Sequence, residues 1–320
     1  MVLVIGQNST WQKTYFLEHL NVSNVNRVSE AYESAAGKGG NVSRVLAGYG
    51  VDHRLIAYIG GGNGEKFAAD CRGDGGKPVF IDIAEETRTC VTLIEEDHTV
   101  TELIEPSPRV TQSERGAFRE AFARHIDDAG FLAIGGTAIR GEADDCYLQF
   151  VKEAHRRGIP VLLDSYRRHG STALAAGPEI LKINQDELAE LSGLPVDAAE
   201  QRKAAYETIR RTFGIHWVII TRGARGAEGF NGTSTISALA SGVTPVNPIG
   251  SGDAVAAGIL SVLSREGRPF ESLAGEAEVL ERALVEGVAA GSANCLNWKP
   301  GRIDTEDLDK VRKAVEVCTT

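Results

Sequence analysis

The sequence predicts an α/β protein: a parallel sheet covered by helices on both faces, with a smaller β region beside it. Three observations carry that prediction. From Ser113 onward, apolar strand-like runs and helical stretches take turns along the chain, the rhythm that places parallel strands under crossover helices. Two earlier stretches, Lys13–Ser34 and Thr87–Glu105, instead alternate apolar and polar residues, as hairpins with one wet face do. Finally, 320 residues at 42% hydrophobic can bury a core large enough for such a sheet, as one big domain or two smaller ones.

The elements follow in order. Val2–Ile5 reads as a buried strand that stops at Gly6-Gln7-Asn8. TYFLEHL and NRVSEAYES form the first hairpin, and VSRVLAGYG after Gly37–Asn41 is a helix stopped by glycine. Strands are expected at Arg54–Ile59 and Pro78–Ile83, with a helix at Glu65–Arg72 between them. TRTCVTLIE and TVTELIE make the second hairpin, able to pair with the first. Helices at Glu114–Ala129 and Asp144–Arg157 alternate with strands at Phe131–Ile134, Val161–Asp164 and Ile180–Ile183. Helices at Asp186–Leu191 and Ala198–Phe213 precede the strand Trp217–Thr221 and two short antiparallel strands, Gly226–Phe230 and Thr235–Ala238. Helices at Ala254–Glu266, Glu276–Asn294 and Glu306–Val317 close the chain. In such a sheet, ligands sit beyond the carboxyl ends of the strands, where Asn8, Gly135, Asp164, Asn184 and Thr221 fall.

Composition narrows the function classes. A net charge of −10 gives nucleic acid or an anionic membrane no general attraction. The five cysteines are scattered, with no C-x-x-C pair, which fits reduced thiols in a cytoplasmic protein and neither a disulfide framework nor a metal site. No stretch approaches the roughly 20 apolar residues of a membrane span, and the first ten residues lack a signal-peptide pattern. The histidines show no ligand spacing.

Four constellations carry chemistry. The first is VNPIGSGDAVAAGIL, where Gly250-Ser251-Gly252-Asp253 opens a helix. Turn and first-turn amides aim one way, with the helix dipole behind them, making an anion hole. Asp253 in its mouth suits proton abstraction from a hydroxyl, and equally a helix N-cap. The second is Gly37-Lys38-Gly39-Gly40-Asn41, a close-approach loop whose lysine suits an anion and whose Asn41 suits sugar hydroxyls, or a plain glycine turn. In the third, Asn184 and Glu187 open a helix; they form a natural cap and can orient hydrated Mg²⁺. In the fourth, Thr221, Gly223 and Gly226 end a strand in a turn able to hold nucleotide phosphates. Arg88 and Arg140, the latter in GGTAIRG, are candidate phosphate partners or solvated arginines.

With these motifs in order, the chain resembles the ribokinase-like PfkB family of carbohydrate kinases. It is most similar to the branch with 1-phosphofructokinase and tagatose-6-phosphate kinase. NRVSEAYESAAGKGGNVSRVLAGYG, ETRTCVTL, TELIEPSP, LLDS, LKINQDEL, ITRGARGA and VNPIGSGDAVAAG carry the resemblance, over about residues 1–315. It implies a three-layer α/β/α domain over residues 1–320, with a β lid from about 12–35 and 87–105 that often also forms a dimer interface. It implies ATP and Mg²⁺, with Asp253 as catalytic base and Gly250, Ser251 and Gly252 as the anion hole. Asn184, Glu187 (acting on Mg²⁺ through water), Thr221, Gly223, Gly226 and Asn294 would serve the nucleotide, Asn294 by lining the adenine pocket. Gly37, Lys38, Gly39, Asn41, Arg88 and Thr137 would serve the substrate, a sugar or sugar phosphate.

The departures fall on the sugar side. The branch's Asn-Pro-x-x-Asp is Asn8-Ser9-Thr10-Trp11-Gln12, so a neutral Gln12 replaces the sugar-binding carboxylate. The Ser-Gly-Ser-Leu-Pro-Pro-Gly loop reads GGTAIRG and gains Arg140, and the usual Thr before the anion hole is Pro248. The expectation is a kinase acting on a ketohexose phosphate. The alternatives are a kinase of an unphosphorylated sugar or nucleoside, and a non-catalytic sugar- or nucleotide-binding regulator. A nicotinamide oxidoreductase is disfavoured because Gly60–Gly64 lacks the spacing of a dinucleotide fingerprint.

Overall fold

Successive side chains of a strand point to opposite faces, and in the central strands both faces are apolar. In the computed structural model, which describes residues 1–320, this splits the core in two. Val2 and Val4, Leu55 and Ala57, and Phe131 and Ala133 enter one core; Leu3 and Ile5, Ile56 and Tyr58, and Leu132 and Ile134 enter the other. Helices Lys38–Gly48, Ser251–Leu263 and Ala277–Cys295 cover the first face. Helices Gln112–His125, Cys146–His155 and Ala199–Phe213 cover the second. Each fully buried Val, Leu or Ile contributes roughly 1.5–3 kcal/mol, so two closed layers hold the frame rigid around what lies at its edge.

The strands in chain order are β1 (Val2–Gly6), β2 (Thr10–Leu17), β3 (Glu30–Ala36), β4 (His53–Ile59), β5 (Val79–Asp82), β6 (Arg88–Glu95) and β7 (Val100–Ile104). They continue as β8 (Phe131–Gly135), β9 (Val161–Asp164), β10 (Ile180–Asn184), β11 (Trp217–Thr221), β12 (Ala227–Phe230), β13 (Thr235–Ala240) and β14 (Val315–Thr319). The main sheet has the order β14-β13-β12-β11-β10-β9-β8-β1-β4-β5. It is parallel from β11 to β5, and antiparallel from β11 out to β14. Gly135 pairs with Asp164, and Asn184 with Thr221, so the carboxyl ends of these strands form one edge.

The two alternating regions pair with each other, as the sequence allows. They form a separate sheet β3-β2-β6-β7, with β2 and β6 parallel and the outer pairs antiparallel. Ser34, Gln12, Cys90 and Ile104 lie in one row across it. Alternation then puts Thr10, Gln12, Arg88, Cys90, Glu102 and Ile104 on the face that closes over the sheet edge.

Several elements differ from expectation. The last helix stops at Lys313, and Val315–Thr319 is a strand on β13 rather than a helix to Val317. The open edge of β13 supplies backbone partners that no local pattern reveals, and β-branched Val315 and Val317 suit a strand. Short helices at Arg168–Leu174 and Phe270–Leu273 were not expected. The helix after β3 begins at Lys38, so the glycine loop is its first turn. The reason is close packing: a Cβ on Gly39 would stand 2.4 Å from Gly6 Cα, and one on Gly6 would stand 2.7 Å from Gly39 Cα. Gly39→Ala should therefore cost about 1–3 kcal/mol through forced separation of β1 and this helix. A fall in melting temperature checks it; an unchanged value would mean the two backbones have room to part.

Candidate active site

Where the strand edge meets the small sheet lies a cleft of about 750 Å³. Gly37, Lys38, Gly39 and Asn41, the turn Gly250–Asp253, and Asn184, Glu187 and Thr221 all line it, together with Gln12, Arg88 and Thr137. Residues from all four constellations therefore meet in one place.

The helix Ser251–Leu263 is capped by Gly250, whose φ of 83° favours glycine, and no side chain caps it. Asp253 is thus not the N-cap that one sequence reading allowed. It sits in the first turn, buried, with Oδ2 accepting from Asn41 Nδ2 at 2.7 Å. Burial pushes its carboxyl up to about 6; Lys38 and Lys182 oppose the rise, and the Asp164 carboxylate adds to it.

Asp164 closes β9 and is itself buried. It accepts from Lys38 Nζ at 2.7 Å and from Lys182 Nζ at 2.9 Å. Burial alone would raise its carboxyl, but the two ammonium groups outweigh that and hold it low. Burial would likewise lower Lys38, and Asp164 with Asp253 reverses this and keeps it charged. Lys182 rises from β10 directly under the turn, for a Cβ on Gly252 would stand 2.9 Å from its Nζ. Two lysines and two carboxylates are thus packed beneath the helix N-terminus. Sequence reasoning placed Asp164 at the sheet edge but assigned it no role, and it missed Lys182. The available signal was a lone charged residue inside the apolar run ILKIN.

On the other flank, Asn184 and Glu187 form a reciprocal cap: Asn184 Oδ1 accepts from Glu187 N at 2.8 Å, and Glu187 Oε2 accepts from Asn184 N at 2.9 Å. Gly223 and Gly226 shape the turn beside Thr221 rather than the cleft wall. Arg222 stiffens that turn, donating to buried Glu228 at 3.1 Å and to Gln185 at 3.1 Å. Asn294 departs from expectation. It is fully buried behind the Gly250–Asp253 turn, donating to Ile249 O at 2.9 Å and Ser251 Oγ at 3.0 Å, and it does not line the cleft. Its amide satisfies turn groups that would otherwise be orphaned.

On the flank formed by the small sheet, Gln12 is buried and donates to Thr92 Oγ1 at 2.8 Å and Lys13 O at 3.2 Å. With its NH₂ so engaged, Gln12 offers the cleft an uncharged acceptor. Asn8 joins Thr137 Oγ1 (3.1 Å) to Ser107 (2.7 Å). Arg140 lines not the main cleft but an adjoining cavity of about 450 Å³, which shares Arg88 with it.

No group of three or more His, Cys, Asp or Glu converges to hold a metal.

A fold of this kind is the ribokinase-like one. The ribokinase of Arabidopsis thaliana, solved with ribose and ATP, superimposes with a TM-score of 0.74 at 19% identity, covering 98% of both chains. Phosphofructokinase-2 from Escherichia coli, solved with substrates and products, gives 0.87 at 22% identity over 98% of both chains. A family model for pfkB family carbohydrate kinases matches residues 2–300, and the chain belongs to that family. It is also 29% identical over 321 aligned positions to the tagatose-6-phosphate kinase of Staphylococcus epidermidis, covering 99% of each chain. The protein is a carbohydrate kinase. No helix is long and apolar enough to cross a membrane.

Proposed function

We propose that this kinase transfers the γ-phosphoryl group of MgATP to a hydroxyl of a ketohexose phosphate, with Asp253 as general base. The observation that carries the reading is Asp253 itself: a buried carboxylate without an ion-pair partner, held by Asn41 at the opening of a helix that no side chain caps. A base tuned towards neutrality at an anion hole can take a hydroxyl proton as that oxygen attacks. The amides of Gly250, Ser251 and Gly252 would face charge growing on the transferred group, and Lys182 beneath them adds a positive charge.

The nucleotide would lie along Asn184, Glu187, Thr221 and the Gly223–Gly226 turn. Mg²⁺, when bound, neutralises phosphate charge, and Glu187 would hold it through water. The sugar would lie against Gln12, Gly37, Gly39, Asn41 and Thr137. Lys38, Arg88 and Arg140 would hold its phosphate, bidentate contacts suiting the guanidinium groups. The relative named for a sugar phosphate supports that choice over a neutral sugar. The small sheet acts as a lid that keeps water from competing as acceptor, within one working unit over residues 1–320. Exposed Leu103, on the face of β7 turned away from the cleft, fits its use between two copies of the chain, and a cytoplasmic setting suits the substrates.

A coupled ATP-turnover screen with fructose 1-phosphate, fructose 6-phosphate, tagatose 6-phosphate, fructose, ribose and adenosine tests the reading. Turnover confined to a sugar phosphate supports it; turnover only with fructose, ribose or adenosine removes the phosphate-holding roles of Lys38, Arg88 and Arg140. The pH profile is a second check. Because Asp253 must be ionised to act and sits near 6, kcat/KM should fall as pH drops through about 6 and level off above it. A profile flat down to pH 4.5 would exclude this carboxylate as the base.

A further inference from the structure

The segment 296–304, after the helix Ala277–Cys295, touches both halves of the cleft. On one side it holds the anion-hole turn. Asn247 donates to the Trp298 carbonyl at 2.8 Å, while its side-chain oxygen accepts from Ile249 N at 3.0 Å. Asn294, which donates to Ile249 O, accepts from Gly301 N at 2.6 Å. The approach is tight: a Cβ on Gly250 would stand 3.0 Å from Gly301 N.

On the other side the same segment holds β3. The Trp298 indole stacks on Tyr32 with ring centres 4.6 Å apart and planes 17° from parallel. Tyr32 pairs with Thr14, two residues along β2 from Gln12 and on the same face of the small sheet. Nearer the root of β3, Arg44 donates to both Pro300 O and Ala35 O. Lys299 donates to Asp70 and Asp74 at 2.8 and 3.0 Å, and Asp70 accepts from Ala35 N at 2.8 Å. Arg44 and Lys299 are buried, so this ionic cluster is a fixed anchor that costs too much to open during turnover. The half-buried aromatic stack is the weaker contact, the one that a shift of the small sheet would make or break.

We infer that Trp298 is a positioning residue: its ring registers the small sheet while its carbonyl, through Asn247, sets the anion-hole turn, so that sheet closure and turn alignment are coupled. The inference rests on the proposed phosphoryl transfer for its kinetic effect, but not for its structural one. Trp298→Leu removes the aromatic face and Trp298→Phe keeps one, and both retain the carbonyl.

The expected result is a kcat roughly 3–10-fold lower in Trp298→Leu, matching loss of one stacked pair. KM for MgATP stays within about twofold, Trp298→Phe recovers the rate, and Tyr32→Leu loses as much as Trp298→Leu. The double variant should be no slower than either single one. Additive losses, an unchanged kcat in Trp298→Leu, or failure of phenylalanine to rescue would overturn it. Emission separates the two claims. The fluorescence of Trp298, taken as wild type minus Trp298→Phe, should shift on adding tagatose 6-phosphate or MgATP and lose that shift in Tyr32→Leu. A shift without turnover of any acceptor would sink the proposed function and leave the coupling standing. No shift with either ligand overturns the coupling, whatever the turnover.

Discussion

Asp253→Asn should leave a folded protein that still binds MgATP and turns over roughly 10²–10⁴-fold more slowly, the usual span for a lost general base. The amide keeps the shape and the contact with Asn41, so binding is not expected to suffer. Stability should move the other way. The carboxyl is raised from 3.8 to about 6 on folding, so its charge disfavours the native state, increasingly as pH rises from the lower value to the upper. At pH 8 the neutral amide relieves that penalty, worth up to about 3 kcal/mol. Slower turnover together with an equal or higher melting temperature at pH 8 is therefore the expected pair of results. Retained activity would remove Asp253 from the chemistry. A sharply lower melting temperature would show the carboxylate to be structural.

Lys182→Met should lower kcat by roughly 10²–10³-fold, comparable to removing a preorganised donor from an oxyanion site. Its Nζ lies under Gly252 and against Asp164, so the variant loses positive charge where the transferred group would be stabilised. It also leaves Asp164 with Lys38 alone, and a buried carboxylate short of a partner destabilises the fold. The two effects can be separated with Lys182→Met/Asp164→Asn. Removing both charges should restore much of the melting temperature without restoring kcat. Recovery of both would reduce Lys182 to a structural counter-ion.

The helix-opening glycine turn with Asp253, the lysine loop at Gly37–Asn41, the Asn184–Glu187 pair and the alternating strands of the small sheet were legible because each is a local pattern. Periodicity and turn chemistry act over a few residues. What was missed is long-range. Lys182 looks like one odd charge in a strand until β9 brings Asp164 beside it and the turn brings Gly252 above it. Asn294 passes as a cleft residue until its amide is found turned inward to Ile249 and Ser251. Arg140 carries a charge suited to a phosphate, but only the fold puts it in the side cavity that shares Arg88.

By itself the sequence determined the alternation of strands and helices, the acidic composition, and the glycines and polar residues at the strand ends. These follow from short-range backbone preference and from which faces must be buried. Only the tertiary structure decided that Asp253 lies within reach of Asn41, that one carboxylate holds two lysines, and that β14 pairs with β13. Asn41 and Asp253 are 212 residues apart, and Lys38 and Asp164 are 126 apart. Burial, charge pairing and strand-edge pairing at such separations depend on what the folded chain brings together in space.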